Sequence, residues 1–138
     1  MTVYKPFHGP TSVYNLHYHV VWVTKYRKHV LSEQNREDLK QMINKIMQDN
    51  DCKIEALEIM PNHVHMLMAV PPKVSLTGLV KQLKGTTARK LYLKYPNLRY
   101  SLWHGHLWSK SYYIGSIGVV NEDTVKHYID TQWERPYK

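Results

Sequence analysis

The sequence predicts an α+β fold of the ferredoxin-like (RRM-like) kind, an antiparallel βαββαβ sheet with helices on one face, and three observations predict it. Segments whose apolar and polar residues alternate, as in strands, come in the order this fold requires around two segments of helical period. A third helical segment, at about 121–135, adds a C-terminal helix to this pattern. The 138 residues, 43% of them hydrophobic, suit a single domain over residues 1–138 with its own core.

The first strand is predicted over residues 14–23, after a segment at 1–12 that prolines and a glycine make irregular. The strand is rich in β-branched and aromatic residues, and its side chains alternate between two faces. Trp22 belongs to one face, whereas His17 and His19 belong to the other. This alternation is the pattern of a β-strand.

The helices are predicted from their caps and their apolar spacing. Ser32 can cap a helix that runs to about Asp49, and Ser75 can cap a second helix that runs to about Tyr95. Asn121 can cap the third helix, whose first turn carries two acidic residues that favour the positive end of the helix dipole.

The remaining strands are predicted from short alternating runs between turn signals. Strands at 52–60 and 62–70 meet at a tight turn around Pro61-Asn62. Residues 96–105 are predicted to be a loop, and a fourth strand lies within 106–118.

The charge of the chain indicates a polyanionic partner. Nineteen Lys and Arg residues against eleven Asp and Glu give a formal net charge of +8 and a pI near 9.5. Nucleic acid is the commonest such partner, an anionic membrane surface is the rival, and many small basic proteins are merely soluble. Cys52 is the only cysteine, so an internal disulfide is excluded. Since no apolar stretch has the length of a signal peptide or a membrane span, a cytoplasmic location is expected.

A pair of histidines marks the predicted strand at 62–70. His63 and His65 share one face because side chains alternate along a strand, and the opposite face is uniformly apolar. Two imidazoles at this spacing project in parallel and can hold one metal ion. They can equally be partly buried histidines that bond to their neighbours, since nine histidines make chance pairs expected. Two other such pairs are His17/His19 and His104/His106.

A tyrosine and a glutamine lie one turn apart on the predicted last helix. Tyr128 and Gln132 form a stripe beside the apolar residues Val125, Ile129 and Trp133, which repeat every four positions and can dock the helix. Tyr128 can thus be presented toward a site at the edge of that contact. The alternative is a core position, because Tyr128 is one of eleven tyrosines.

Basic and aromatic residues suggest where a nucleic acid would bind. Lys84 and Arg89 lie on the polar face of the second helix among small residues, which would let a phosphate backbone approach, and Lys25 and Arg27 could extend this basic track. Trp108 is a candidate to stack on an unpaired base. A solvated charged face and a core tryptophan are the alternatives.

Five segments in order resemble the single-tyrosine HUH transposases (TnpA) of the insertion sequence 200/605 family. They cover the chain nearly from end to end, and ordered matches of this kind are far more specific than one histidine pair. The segments are YHVVWVTKYR at 18–27, PNHVHML at 61–67, LVKQLKGTTARK at 79–90, LWSKSYYIGSIG at 107–118 and VKHYIDTQ at 125–132.

The resemblance implies an activity. His63 and His65 are similar to two metal ligands of the family and Gln132 to the third, a set that suits Mg²⁺ or Mn²⁺. Tyr128 resembles the nucleophile that cleaves single-stranded DNA and leaves a 5′-phosphotyrosine and a free 3′-hydroxyl. Rejoining then needs no ATP. The sequence shows no obvious general base to assist the attack by the tyrosine.

The resemblance also implies partners. It predicts a homodimer with active sites shared between subunits, acting on hairpin-bearing single strands at transposon ends. Two alternatives remain at this point. One is a non-catalytic RNA-binding module, which would need neither metal nor a covalent adduct. The other is a related HUH enzyme, such as a replication initiator or a domesticated transposase, with a different DNA substrate.

Overall fold

The computed structural model describes residues 6–8 and 13–117. These residues form the sheet, the first two helices and the loops that join them. The predicted tyrosine helix at about 121–135, with Tyr128 and Gln132, lies outside the described residues.

Two short strands precede the main sheet. Strand β1 (Phe7–His8) pairs antiparallel with β2 (Val13–Tyr14). The prediction of an irregular segment through residue 12 is wrong at Phe7–His8, and Tyr14 belongs to this small hairpin instead of the first main strand. The alternating pattern runs on without a break through Tyr14, so it cannot show where the chain changes its pairing partner.

The main sheet has the predicted ferredoxin-like topology. It contains β3 (His17–Thr24), β4 (Lys53–Met60), β5 (His63–Ala69) and β6 (Trp108–Ile117). The order across the sheet is β4-β5-β3-β6, and every neighbouring pair is antiparallel. Strands β5 and β3 are therefore central, and the second βαβ half is interleaved with the first, as the fold requires.

Two capped helices are confirmed. Helix α1 (Glu33–Asp49) begins after Ser32, whose hydroxyl accepts a hydrogen bond from the Asn35 N–H while the Asn35 side chain accepts one from the Ser32 N–H. Helix α2 (Leu76–Lys94) is capped by Ser75, which accepts from the Gly78 N–H. The predicted loop after α2 contains a 3₁₀ helix at Pro96–Leu102.

The hydrophobic core lies between one face of the sheet and the helices. Val64, Met66 and Met68 of β5 are fully or almost fully buried there. The other large contributors come from β3 and from both helices, and they include Val20, Trp22, Leu39, Ile43, Leu83 and Leu91. This is the face that the sequence pattern assigned to the helices, and it leaves the alternate residues of each strand on the other face.

A charged residue tucked between the helices is fully paired. Asp38 of α1 accepts a short hydrogen bond from the Tyr95 hydroxyl, and the Lys94 ammonium lies 3.0 Å from its carboxylate. These two hydrogen bonds, that of Tyr95 first, lower the pKa of Asp38 below its ordinary value. The pair of contacts ties the start of α1 to the end of α2. Neither helix, among the residues described, is long and apolar enough to cross a membrane.

Candidate functional site

The two predicted histidines lie side by side on the face of the sheet opposite the helices. The ring centroids of His63 and His65 are 5.6 Å apart, and both side chains are half-buried. Their neighbours across β3 are Val23 and Val21 respectively. A metal ion binds about 2.1 Å from an imidazole nitrogen. The separation of the rings is compatible with one ion held between them.

His63 is held in a protonation state suited to metal binding. Its Nδ1–H donates to the Asn62 side-chain oxygen at 2.8 Å, a hydrogen bond that orients the ring and places the lone pair on Nε2. Burial, with smaller contributions from the nearby His65 and His29, lowers the pKa of His63 from its ordinary value to about 4. The imidazole is therefore neutral at physiological pH, and only the neutral form can be a ligand.

His65 has an acidic neighbour on the edge strand. The Glu58 carboxylate lies 3.0 Å from the His65 Nε2, and the two residues are directly opposed across β5 and β4. The Glu58 side chain is 61% exposed, so it can rotate away or turn toward a bound cation. Sequence reasoning did not single out Glu58, although the tight turn at Pro61-Asn62 is the signal that places it opposite His65.

The donor set fits part of a metal site. Within residues 6–8 and 13–117 there is no group of three or more His, Cys, Asp or Glu residues placed to hold a metal ion. The imidazoles of His63 and His65 remain, and they leave several coordination positions open. The predicted third ligand, Gln132, belongs to the part of the chain that is not described, so the completed set stays a prediction.

The other histidines of the same face have structural contacts. His17 is buried, and its two ring nitrogens lie 2.5 Å from a Glu55 carboxylate oxygen and 2.6 Å from the Asn15 side-chain oxygen. The ring of His19 packs against that of Tyr113, with centroids 4.9 Å apart. Burial, followed by the charge of His65, lowers the pKa of His19. These contacts distinguish the His17/His19 pair from the more accessible pair on β5.

The basic turn after β3 meets the histidine strand at one end of the sheet. The Thr24 N–H donates to the Asn62 carbonyl at 3.0 Å, and the Thr24 hydroxyl donates to the Lys28 carbonyl at 2.7 Å. The Lys25 N–H donates to the Leu107 carbonyl at 2.8 Å. The predicted DNA contacts Lys25 and Arg27 are thus anchored beside the paired histidines.

Two other predicted DNA contacts lie around a groove on α2. Lys84 and Arg89 line an open groove of about 550 Å³ between α2 and residues 104–110. The Lys84 ammonium already donates to the carbonyls of Ser109 at 2.7 Å and Lys110 at 3.0 Å, and burial lowers its pKa. Lys84 therefore fastens α2 to β6, whereas Arg89 is exposed and accessible to a phosphate.

Trp108 belongs to the core, which was the alternative left open by the sequence. It is only 5% exposed, its ring packs edge-on against Trp22, and its indole N–H donates to the Thr87 hydroxyl at 3.0 Å. A ring enclosed in this way has little surface on which a base could stack. The exposed aromatic residues near the basic turn are Tyr26 and Trp103, which the sequence pattern did not single out.

A ferredoxin-like sheet that carries paired histidines on its open face, beside basic surfaces, is the arrangement expected of the tyrosine transposases that the sequence resembles. A family model described as "Transposase IS200 like" matches residues 12–132, and the chain belongs to this family, the tyrosine transposases of insertion sequences 200/605.

Individual relatives agree with this assignment. The chain is 36% identical over 127 residues to the ISDra2 transposase TnpA of Deinococcus radiodurans, a match that covers 92% of this chain and 91% of that protein. It is 28% identical over 121 residues to the IS200 transposase of Salmonella typhimurium, covering 88% and 79% respectively.

Solved structures also match. A crystal structure of a Deinococcus radiodurans R1 protein assigned as a transposase aligns with a TM-score of 0.76 at 36% identity, covering 91% of this chain and 97% of that one. A REP-associated tyrosine transposase bound to a REP hairpin aligns with a TM-score of 0.53 at 17% identity, covering 94% and 69%, and this second likeness concerns the fold alone.

Proposed function

We propose that this transposase cleaves and rejoins single-stranded DNA at the ends of an insertion sequence through a 5′-phosphotyrosine intermediate. The observation that carries the proposal is the pair of imidazoles, His63 and His65, on the open face of a central strand. Their position beside a basic turn suits a phosphodiester substrate. We place this activity in the cytoplasm, where the chain would meet such DNA.

A divalent ion, Mg²⁺ or Mn²⁺, is proposed at this pair, with Gln132 as the third protein ligand. Two imidazoles and an amide oxygen would leave positions for water and for a phosphate oxygen. When bound, the ion would polarise the scissile phosphate and offset its developing negative charge. The contribution of the chain itself is to keep His63 neutral by burial and oriented by Asn62.

Tyr128 is proposed as the nucleophile. Its phenol oxygen forms a bond to phosphorus while the bond from phosphorus to the 3′-oxygen breaks, and the phenol proton is released as the departing oxygen gains one. The products are a 5′-phosphotyrosine and a free 3′-hydroxyl. Since the phosphodiester energy is kept in the protein linkage, a 3′-hydroxyl can reverse the reaction without ATP.

The proposed substrate is a single strand that bears a hairpin. The family resemblance is the basis for this class of DNA, and the net charge of +8 favours any nucleic acid. A homodimer with sites shared between subunits is proposed from the family resemblance.

The direct test is the covalent adduct. Incubating the protein with single-stranded DNA from the element's ends and Mg²⁺ should give a protein–DNA species that survives denaturing electrophoresis. Tyr128→Phe should abolish the adduct and preserve binding, since it removes only the attacking oxygen. Tyr100→Phe, which changes an exposed tyrosine, is the matched control and should retain it. An undiminished adduct in Tyr128→Phe would transfer the role to another residue.

A second test asks how the active site is divided between subunits. In a heterodimer of Tyr128→Phe with His63→Ala, shared sites would leave one site with an intact tyrosine and intact histidines. We therefore expect this heterodimer, purified through two different tags, to recover about half of the wild-type cleavage, whereas both parent homodimers stay inactive. A heterodimer as inactive as its parents would show that each subunit builds its own site.

A further inference from the structure

Two aromatic side chains stand out from the surface at the end of the sheet that carries the paired histidines. Tyr26 is 64% exposed and Trp103 is 66% exposed, and their rings contact edge to face with centroids 5.3 Å apart. Large aromatic side chains usually bury most of their surface. A pair held together in water is therefore a feature that needs an explanation.

The backbone beneath this pair adopts a conformation that is costly for residues with side chains. Tyr26 and Arg27 have φ angles of 60° and 55°, and Trp103 and His104 have φ angles of 52° and 61°. Two consecutive left-handed, non-glycine residues thus occur in each of two loops that lie together. Such conformations cluster where a fold holds a ligand in place.

The two loops are fastened to one another and to the sheet. The Lys28 ammonium donates to the Ser101 carbonyl at 3.1 Å, and the Lys25 N–H donates to the Leu107 carbonyl at 2.8 Å. The His104 N–H donates to the Arg99 carbonyl at 2.9 Å. The aromatic pair is therefore presented by hydrogen-bonded turns in a defined orientation.

Lysine ammonium groups accompany both rings. The Lys28 Nζ lies 3.8 Å from the centroid of Trp103, and the Lys25 Nζ lies 5.5 Å from that of Tyr26. These distances are within the range of cation–π contacts. An aromatic surface with cations at its rim is complementary to a nucleotide, in which a flat base is joined to an anionic phosphate.

Strand pairing connects the loop that carries Tyr26 with the paired histidines. Val23 is paired with His63 in the sheet, Thr24 is bonded to the turn that precedes His63, and Tyr26 follows two residues later. The aromatic pair therefore lies at the same end of the sheet as His63, where one end of a DNA strand bound at the histidines can reach it.

We propose that Tyr26 and Trp103, with Lys25 and Lys28, form a stacking platform for one unpaired base of the DNA strand. The proposal rests on the proposed function in that it takes single-stranded DNA as the substrate. Bases in a duplex are already stacked on their neighbours, so an unpaired base has the free face that the platform requires. The lysines at the rim would contact the adjacent phosphates, and they make an apolar protein segment a poorer occupant.

The experiment separates base stacking from charge by using two ligands. Binding of a short oligothymidylate is compared with binding of an abasic strand of equal length, in chelator so that no cleavage occurs. Wild-type protein should prefer the oligothymidylate by about tenfold or more, as expected for one stacked base. The double variant Tyr26→Ala/Trp103→Ala should lose this preference, and Trp103→Phe should keep most of it.

Fluorescence gives an independent readout. Of the tryptophans that the structure describes, Trp103 alone is exposed, since Trp22 and Trp108 are buried. Oligothymidylate should therefore quench wild-type emission, and Trp103→Phe should remove the quenched component. Leu93→Ala, which trims an exposed side chain of α2, is the control and should quench as wild type does.

A preference for oligothymidylate that persists in the double variant, or that is absent from the wild type, would overturn the platform. Circular dichroism shows whether the double variant is folded, and Trp103→Phe supplies the test if it is not. The result is distinct from a failure of the proposed function, because a protein that stacks bases in chelator but never forms the tyrosine adduct would keep the platform and lose the transposase chemistry.

Discussion

The two faces of strand β5 differ sharply although their residues alternate along one short segment. Val64, Met66 and Met68 are closed off by the helices, whereas His63 and His65 remain half-buried on the open face. One face therefore contributes to stability through apolar burial, and the other carries groups able to bind a ligand. Neighbouring residues of β5 thus have different roles, one contributing to the core and the next to the candidate site.

Burial also acts differently on the ionisable groups of the two sides. On the helix side Asp38 is kept charged, because Tyr95 and Lys94 donate to it. On the open face burial lowers the pKa values of His19 and His63, so that these imidazoles are neutral. Hydrogen bonding keeps Asp38 charged between the two helices. Burial keeps His63 uncharged on the open face, where a neutral imidazole is needed to bind a metal ion.

The largest effect is expected when adjacent residues on the two faces of β5 are replaced one at a time. Met66→Ala removes a fully buried side chain and should lower the free energy of unfolding by about 2–5 kcal/mol. His65→Ala should lower it far less, yet abolish cleavage because it removes a proposed metal ligand. Urea denaturation and adduct formation, measured on both variants, should give a crossed pattern in which Met66→Ala loses stability and His65→Ala loses cleavage.

This crossed pattern can fail in two ways. If His65→Ala were as unstable as Met66→Ala, the open face would be part of the core and its histidines would be structural. If the folded fraction of Met66→Ala formed no adduct under conditions where it is stable, the two faces would be coupled. Either result would remove the separation of stability from chemistry.

A smaller effect is expected from the charge of Asp38, whose contribution to stability depends on pH. The pKa of Asp38 is lower in the folded protein than its unfolded value of about 3.9. Its charge therefore stabilises the fold fully above that value, and this stabilisation is lost as the pH falls through the folded pKa. Asp38→Asn should be less stable than wild type at neutral pH, and the difference should shrink in acid.

Urea midpoints at neutral pH and near pH 3 measure this change. Lys45→Gln, which removes the exposed pairing of Lys45 with Asp49 on the same helix, is the control and should show little difference at either pH. A deficit of Asp38→Asn that stayed constant across the range would mean that lost packing, not charge, explains it.

Sequence reasoning succeeded where a residue's role depends on local pattern. The Ser32 cap and the division of the faces of β5 follow from spacing within a few residues, and the structure confirms them, with the bounds of β5 within one residue of those predicted. The pairing of Glu58 with His65 follows from the same local reasoning, because the tight turn at Pro61-Asn62 sets the register of the hairpin from the turn through Ala56. The register shift between Ile54 and Ala56 lies farther from the turn, and no periodicity in the sequence reports it.

Loops and pairing partners explain the other differences. Trp103 lies in a segment without periodicity, so no pattern predicts that its side chain is exposed. Its left-handed backbone could not be predicted either, because the position is not a glycine. The sequence is compatible with Trp108 as a stacking surface or as a core residue. Its contacts with Trp22 and Thr87, which the sequence does not reveal, place it in the core. The roles of Tyr128 and Gln132 rest on the family resemblance and remain predictions.

The central position of β5 has a consequence for motion. Its backbone is hydrogen-bonded to β4 on one side and β3 on the other, so it is not an edge that can fray. Amide hydrogens in such a strand exchange with solvent chiefly through opening of the whole domain. Within the described sheet, we therefore expect the two imidazoles to lie on a strand whose amide hydrogens exchange slowly. Substrate must come to them, and any adjustment during a reaction cycle falls to the elements around them.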